Sequence, residues 1–363
     1  MRYPEKLPSG GTIGFVAPSF GCNIEPYRSA FENAKRKFAE LGYEVDLGPN
    51  CYEGKGIGIS NTPEECAREL MEYYQSSEND VLISCGGGEL MCEILEYMDF
   101  EALKKAPPKW YMGYSDNTNM TYLLATYCDT ASIYGPNAPA FGMEPWHASL
   151  KDALGLLTGN TDTARGYDKW ERESVKSEEN PLAPYNVTEE RVLRCFLGEQ
   201  PLVWEGQPEK KCDSATVAAG SEIRFSGRLL GGCMDCLVNL LGTRFDKTAE
   251  FIEKYKEDGI IWFLEACDLN VFAIRRAMWQ MEQAGWFRYV KGFLIGRPLC
   301  FGQEMMGLDA YNAVLKVAGN KNVPVIMDVD LGHLPPMMPL IVGSRAQVTV
   351  RGNDIAISMD TSK

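Results

Sequence analysis

A serine becomes a useful nucleophile near neutral pH when a base takes its proton and a carboxylate holds that base in place. The sequence offers few ways to assemble such a set. It contains two histidines, His147 and His333, so any mechanism that needs an imidazole uses one of them. His147 lies in the polar stretch Met143-Glu144-Pro145-Trp146-His147 and reads as a surface residue. His333 lies in Asp328-Val329-Asp330-Leu331-Gly332-His333, after a strand-like run and before a proline-rich loop, where sites tend to gather. Ser115 follows the apolar run Trp110-Tyr111-Met112-Gly113-Tyr114 and precedes a helix that begins near Asn117. A sharp strand-to-helix turn lifts a side chain clear of the sheet and aims the first helical N–H groups at whatever that side chain attacks. Asn117 breaks the G-x-S-x-G pattern of such elbows, and a serine that merely caps the helix is the competing reading. Glu265 is an abrupt acid after Ile260-Ile261-Trp262-Phe263-Leu264. A buried acid there needs a partner, either a catalytic imidazole or a structural cation.

Gly86-Gly87-Gly88 ends a second apolar run, Asp80-Val81-Leu82-Ile83-Ser84. No Gly-Lys-Ser/Thr follows and Glu89 would repel phosphate, so a tight turn offering a backbone N–H to an oxyanion fits better than a phosphate loop. The N–H of Asp116, next to the serine, is the natural second donor. Gly10-Gly11-Thr12-Ile13-Gly14 precedes its strand and lacks dinucleotide-binding spacing. Cys233-Met234-Asp235-Cys236 is the lone CxxC, without the further ligands a zinc site needs. No metal site and no cofactor are expected.

Short apolar strands alternating with helices up to about residue 160 predict a parallel sheet covered on both faces. The strands are expected near 11–17, 43–47, 80–84 and 110–114. One helix spans Tyr27 to Leu41 and stops at Gly42, and another opens at Thr62-Pro63-Glu64-Glu65 with an N-cap and a first-turn proline. Residues 161–222 are polar and read as a linker or insertion loop. A second apolar block, 223–363, carries strands at 260–264, 292–296 and 324–327, a helix over Val271 to Gln283, and two strands near the end. The fold class is therefore α/β, in two domains (1–160 and 223–363).

At 363 residues the chain has room for two domains and a sizeable core. Its formal charge of −14 argues against nucleic acid or an anionic membrane surface as partner. The twelve cysteines are scattered through apolar stretches and read as reduced, buried thiols. Met1-Arg2-Tyr3-Pro4-Glu5-Lys6 has no charged-then-apolar pattern and no run is long enough for a bilayer. A soluble cytoplasmic protein is expected.

Five segments in order resemble the LD-carboxypeptidase / microcin C self-immunity family of serine peptidases. They are Thr12-Ile13-Gly14-Phe15-Val16-Ala17-Pro18-Ser19, Gly87-Gly88, Gly113-Tyr114-Ser115-Asp116, Gly227-Arg228-Leu229-Leu230-Gly231-Gly232, and Phe263-Leu264-Glu265 with Gly332-His333. The resemblance implies a Rossmann-like N-terminal domain and a β-rich C-terminal domain that share a Ser115–Glu265–His333 triad. It implies oxyanion donors at the N–H groups of Gly88 and Asp116, and a homodimer. The family's two branches cleave an L–D bond of a murein tetrapeptide or the amide joining a peptide to a nucleotide-like group. Asp168-Lys169-Trp170-Glu171-Arg172 resembles the immunity branch's loop, so Trp170 is expected to stack on a substrate base, with Gly87 a second substrate contact. Leu334-Pro335-Pro336 and the length of the stretch from Pro208 to Glu222 depart from the family pattern. The rival reading is a non-catalytic protein that holds a peptide or nucleotide between two domains. An acidic metallohydrolase is disfavoured by the scarcity of histidine.

Overall fold

The computed structural model describes residues 1–204, 215–217 and 221–362. Two sheets carry the chain. The first has the strand order Glu44–Leu47, Thr12–Val16, Val81–Ser84, Trp110–Gly113, Ser132–Tyr134, Leu340–Val342. The first five are parallel. The chain reverses direction across the sheet between Thr12–Val16 and Val81–Ser84, and in such doubly wound sheets ligands bind beyond the carboxyl ends of the strands near that point. Thr12–Val16, Val81–Ser84 and Trp110–Gly113 are buried almost throughout, as strands covered on both faces must be. The helix Tyr27–Glu40 turns Ala30, Phe31, Ala34 and Phe38 inward. Pro63–Gln75 is capped by Thr62, whose hydroxyl accepts the Glu65 N–H at 3.3 Å, with Glu64 and Glu65 at the positive end of the dipole.

Among the described residues the second sheet has ten strands. Its centre is parallel, in the order Pro324–Val329, Val290–Gly296, Ile260–Glu265, Ile223–Cys233. Arg345–Arg351 and Asp354–Asp360 continue it as an antiparallel hairpin. The α/β class is as the residues implied, and the parallel-sheet half joined to a β-rich half is as the resemblance implied.

Among its described residues the polar stretch 161–222 is not simply a linker or insertion loop, for it contributes strands. Thr163–Arg165 pairs with Asp354–Asp360 at one edge of the second sheet, and Arg194–Leu197 pairs with Pro324–Val329 toward the other. Gln200–Trp204 and Ala215–Val217 extend that side. A separate hairpin joins Lys169–Glu171 to Val187–Glu190. Thr163–Arg165 and Val187–Glu190 are short, half-solvated and largely polar, as edge strands often are. Most of Pro208 to Glu222 lies outside the described residues, as does Cys212.

The two halves share one apolar core. At its centre is the helix Thr118–Thr126, buried along its whole length between the sheets. Several of its polar groups are paired: Thr121 Oγ1 donates to the Asn117 carbonyl at 3.2 Å and Tyr122 pairs with Thr248 at 2.7 Å. Gly231 lies against the neighbouring strand with φ +154°, and a Cβ there would sit 1.7 Å from the Phe263 carbonyl oxygen. The following Cys233 N–H donates to Thr118 Oγ1 at 3.0 Å, which fastens the second sheet to the buried helix.

Candidate active site

Ser115 sits where the strand Trp110–Gly113 breaks into a short 3₁₀ turn, Ser115–Asn117, that leads into the buried helix. Its backbone is left-handed, φ +64°, a conformation costing a non-glycine residue about 1–3 kcal/mol and held only by its surroundings. Those surroundings explain the neighbouring sequence. Asp116 is buried, and its carboxylate accepts from the Ser19 hydroxyl at 2.6 Å, the Met91 N–H at 2.9 Å and the Asn119 amide at 3.0 Å. Burial raises its pKa, and these bonds oppose the rise. Asn117, which breaks the G-x-S-x-G pattern, donates to the Gly86 carbonyl at 2.8 Å and to the Tyr114 carbonyl at 3.1 Å. It thereby ties the glycine run to the serine turn.

His333 comes from the loop after Pro324–Val329, and Glu265 ends Ile260–Glu265. The structure brings the three side chains into one chain of hydrogen bonds. His333 Nε2 is 2.9 Å from Ser115 Oγ, and His333 Nδ1 is 2.8 Å from Glu265 Oε2. Gly332 makes the approach possible: its φ is +94°, and a Cβ there would lie 2.5 Å from Glu265 Oε2. Glu265 is inaccessible to solvent. Burial pushes its pKa up, but the His333 charge and the hydrogen bonds from His333 and Tyr134 outweigh it and hold the carboxyl below its ordinary value. Burial lowers the His333 pKa, but the Glu265 carboxylate outweighs that and raises it.

The loop bearing His333 rests on buried charge. Asp330 is fully buried, 2.6 Å from the Arg297 guanidinium, and accepts the Tyr167 N–H at 2.7 Å. Arg297 also donates to the Asp328 carbonyl at 2.8 Å.

Tyr134 is the residue the sequence did not reveal. Its hydroxyl accepts the Ser115 N–H at 3.2 Å and donates to Glu265 Oε1 at 2.5 Å. It therefore joins the nucleophile's backbone to the acid of the other half. A tyrosine closing an apolar strand gives no signal of this; the hint was a buried acid with one oxygen more than a single imidazole can satisfy.

The other expected residues divide. Gly87 lies beside the serine, where a Cβ would be 3.0 Å from Ser115 Oγ, and Gly88 lines one cavity with Ser115. Among the described residues the Gly88 N–H has no acceptor. Trp170 stands elsewhere. It is 4% exposed, the Arg297 guanidinium lies 5.0 Å from its ring centre, Phe301 meets it edge-on at 5.0 Å, and its indole N–H reaches the Glu190 carbonyl at 3.3 Å. Its faces are taken by protein, so the expected stacking on a substrate base gives way to a packing role under the His333 loop. His147 is half-buried and caps the helix Ala148–Thr158 through Nδ1, which accepts the Ser149 N–H at 3.2 Å.

Ser115, His333 and the glycine run open onto a cavity of about 840 Å³. Part of its wall, including Glu171, Lys176 and Tyr185, belongs to the hairpin of the former linker. Among the described residues there is no group of three or more His, Cys, Asp or Glu placed to hold a metal, and no helix long and apolar enough to cross a membrane. The eleven described cysteines are free.

Fold and site together define a two-domain α/β serine hydrolase. The chain belongs to the LD-carboxypeptidase family: the model of that family's N-terminal domain matches residues 13–135 and that of its C-terminal domain residues 226–348. It is a serine-type carboxypeptidase/hydrolase of the kind that includes the Microcin C7 self-immunity protein MccF of Escherichia coli, to which it is 25% identical over 97% of this chain and 94% of that one. Its fold matches MccF solved with glutamyl sulfamoyl guanosine (TM-score 0.77, 19% identity, 99% of both chains). It also matches an MccF-like protein from Bacillus anthracis (TM-score 0.77, 21% identity, 99% of this chain and 100% of that one). An MccF-like protein from Streptococcus pneumoniae, solved with AMP, matches at TM-score 0.74 and 22% identity over 97% and 99% of the chains.

Proposed function

We propose that this protein hydrolyses the amide joining an aminoacyl or peptidyl group to a nucleotide-like leaving group, through an acyl-enzyme on Ser115. The observation that carries the mechanism is the unbroken hydrogen-bond path from Ser115 Oγ through His333 to Glu265, 2.9 and 2.8 Å, at the wall of a cavity. His333 takes the hydroxyl proton as Oγ attacks the carbonyl carbon. Glu265 fixes the tautomer, with Nδ1 protonated and Nε2 free to accept, and stabilises the imidazolium. The N–H groups of Gly88 and Asp116 receive the oxyanion. His333 then protonates the leaving amine, and water, activated by the same imidazole, releases the acyl group. Tyr134 holds the Ser115 turn and Glu265 in mutual register. No cofactor enters these steps.

The nucleotide-like leaving group is supported by the relatives solved with aspartyl sulfamoyl adenosine, glutamyl sulfamoyl guanosine and AMP. Removal of a terminal D-residue from a murein tetrapeptide is the alternative outcome of the same substrate panel. A cytoplasmic homodimer belongs to this reading, and sedimentation of a stable monomer rules the dimer out.

Ser115→Ala is the direct test. The variant is expected to fold normally, to lose turnover of both substrate classes and to resist a fluorophosphonate that labels the parent at Ser115. Retained turnover, or labelling elsewhere with equal loss of activity, refutes the assignment. A parent protein inert to the probe supports the non-catalytic binding reading instead.

A further inference from the structure

The catalytic cavity is acidic. Glu89, Asp116, Glu171, Asp235 and Asp268 all contribute to its wall. Some of that charge is neutralised locally: Asp116 as described, and Asp235 by the N–H groups of Cys267 at 3.0 Å and Asp268 at 2.9 Å. Among the described residues no N–H donates to the Glu89 carboxylate, and Asp268 has the Cys267 thiol, at 3.7 Å, as its donor. A substrate that carries an anion beside the scissile bond meets repulsion here unless a cation offsets it. His333 cannot supply that charge, because it must be neutral to accept the serine proton.

Among the described lining residues the one side chain of permanent positive charge is Lys176. It stands on the hairpin between Lys169–Glu171 and Val187–Glu190. That hairpin is anchored at several points. The Glu171 N–H donates to the Pro335 carbonyl at 2.7 Å, the Arg191 N–H to the Asp168 carbonyl at 2.9 Å, and the Leu182 carbonyl accepts the Glu144 N–H of the first half at 2.9 Å. It crosses the cavity as a fixed strap from one half of the molecule to the other. Lys176 Nζ makes no ion pair or hydrogen bond among the described residues. Partial burial lowers its pKa, and the nearby Glu171 carboxylate opposes the drop. A half-buried ammonium without a direct partner is a costly arrangement, and a bound anion removes that cost.

We infer that Lys176 is the specificity residue of this cavity, and that it receives an oxyanion carried by the substrate, a carboxylate or a phosphate. The inference rests on the hydrolase reading above. Both substrate classes supply the chemistry: a carboxypeptidase substrate has its terminal carboxylate on the leaving residue, and a nucleotide has its phosphate.

Two matched pairs separate these sources. One is a tetrapeptide with a free C-terminus against its C-terminal amide. The other is an aminoacyl nucleotide against its phosphate-free nucleoside analogue. The parent, Lys176→Gln and Lys176→Arg are compared by kcat/KM. In the parent the anionic member of one pair is preferred by roughly 10- to 100-fold, the range expected for a charge-assisted contact. In Lys176→Gln that ratio collapses through KM, and in Lys176→Arg it survives. The pair that responds names the source. An unchanged ratio in Lys176→Gln for both pairs overturns the inference.

If the parent hydrolyses neither pair, the proposed reaction fails while Lys176 is still tested. Protection of Ser115 from fluorophosphonate by each compound is then measured. Better protection by the anionic member, lost in Lys176→Gln, sustains the assignment. Equal protection, or none, overturns it.

Discussion

Tyr134→Phe removes one oxygen from the wall behind Ser115 and leaves the buried ring in place. That oxygen makes two bonds, accepting from the Ser115 N–H at 3.2 Å and donating to Glu265 Oε1 at 2.5 Å. A hydrogen bond to a charged group contributes about 1.5–3 kcal/mol, and one pKa unit corresponds to about 1.4 kcal/mol. Without the donor, the negative charge on Glu265 rests more fully on His333 and binds its proton more tightly. The active form has His333 neutral, so the acid limb of kcat/KM moves to higher pH. The lower end of the energy range predicts a shift of about one unit, since Glu265 keeps its bond to His333. The parent limb itself is expected above the ordinary histidine value of 6.5, because Glu265 raises the His333 pKa. On the plateau kcat falls about tenfold, as the left-handed Ser115 turn loses a support. The assay is kcat/KM from pH 5 to 10 for parent and variant, run beside the rate of fluorophosphonate labelling. A plateau loss with the limb unmoved, or moved to lower pH, means that Tyr134 acts through packing alone.

Three further outcomes are expected. Gly87→Ala places a methyl group 2.9 Å from Ser115 Cβ and 3.0 Å from Ser115 Oγ, where the substrate carbonyl must approach, so the serine turn must shift; kcat/KM drops at least about tenfold, and an undiminished kcat/KM refutes the placement. Trp170→Ala uncovers Arg297 and Phe301 and destabilises by about 3–5 kcal/mol in chemical denaturation; an intact midpoint with a raised KM for nucleotide substrates would restore the stacking role. Glu69 is buried, accepts the N–H groups of Ala17 and Asn50 at 2.8 Å each, and has its pKa pushed up to about 7 by burial. Its favourable contribution is therefore complete below pH 4.5 and lost as pH rises toward 7, by about 3 kcal/mol. Unfolding free energies at pH 5 and pH 8 should differ in that sense, and Glu69→Gln should flatten the difference; parallel pH profiles for parent and variant refute it.

Ser115, His333 and Glu265 stood out because each was unusual in its place, and the family resemblance joined them into one set. Histidine is scarce, Glu265 interrupts five apolar residues, and Ser115 falls on a strand-to-helix break. Chemistry at variance with its local pattern is readable from one dimension. Tyr134 was hidden for the opposite reason: its ring suits a buried strand, and only the third dimension shows what its hydroxyl meets. Trp170 was visible as a residue but not in its role, since a large aromatic on a polar stretch looks the same whether it faces substrate or Arg297. Two strands of 161–222 escaped because their partners lie more than about a hundred residues away: Thr163–Arg165 with Asp354–Asp360, and Arg194–Leu197 with Pro324–Val329. Edge strands borrow their order from a sheet already built, and their own residues carry little of it.

The strand Leu340–Val342 has a consequence for how such a protein can be divided. Having delivered His333, the chain crosses to the first sheet, where Leu340 lies opposite Tyr134, and then returns as Arg345–Arg351. The halves are thus sewn together at the very residue that couples the acid to the nucleophile. A chimaera that joins the first half of one homologue to the second half of another inherits a foreign stitch beside Tyr134. Recombination at the apparent boundary between halves should therefore yield working hybrids only when that three-residue seam is exchanged along with the sheet it completes.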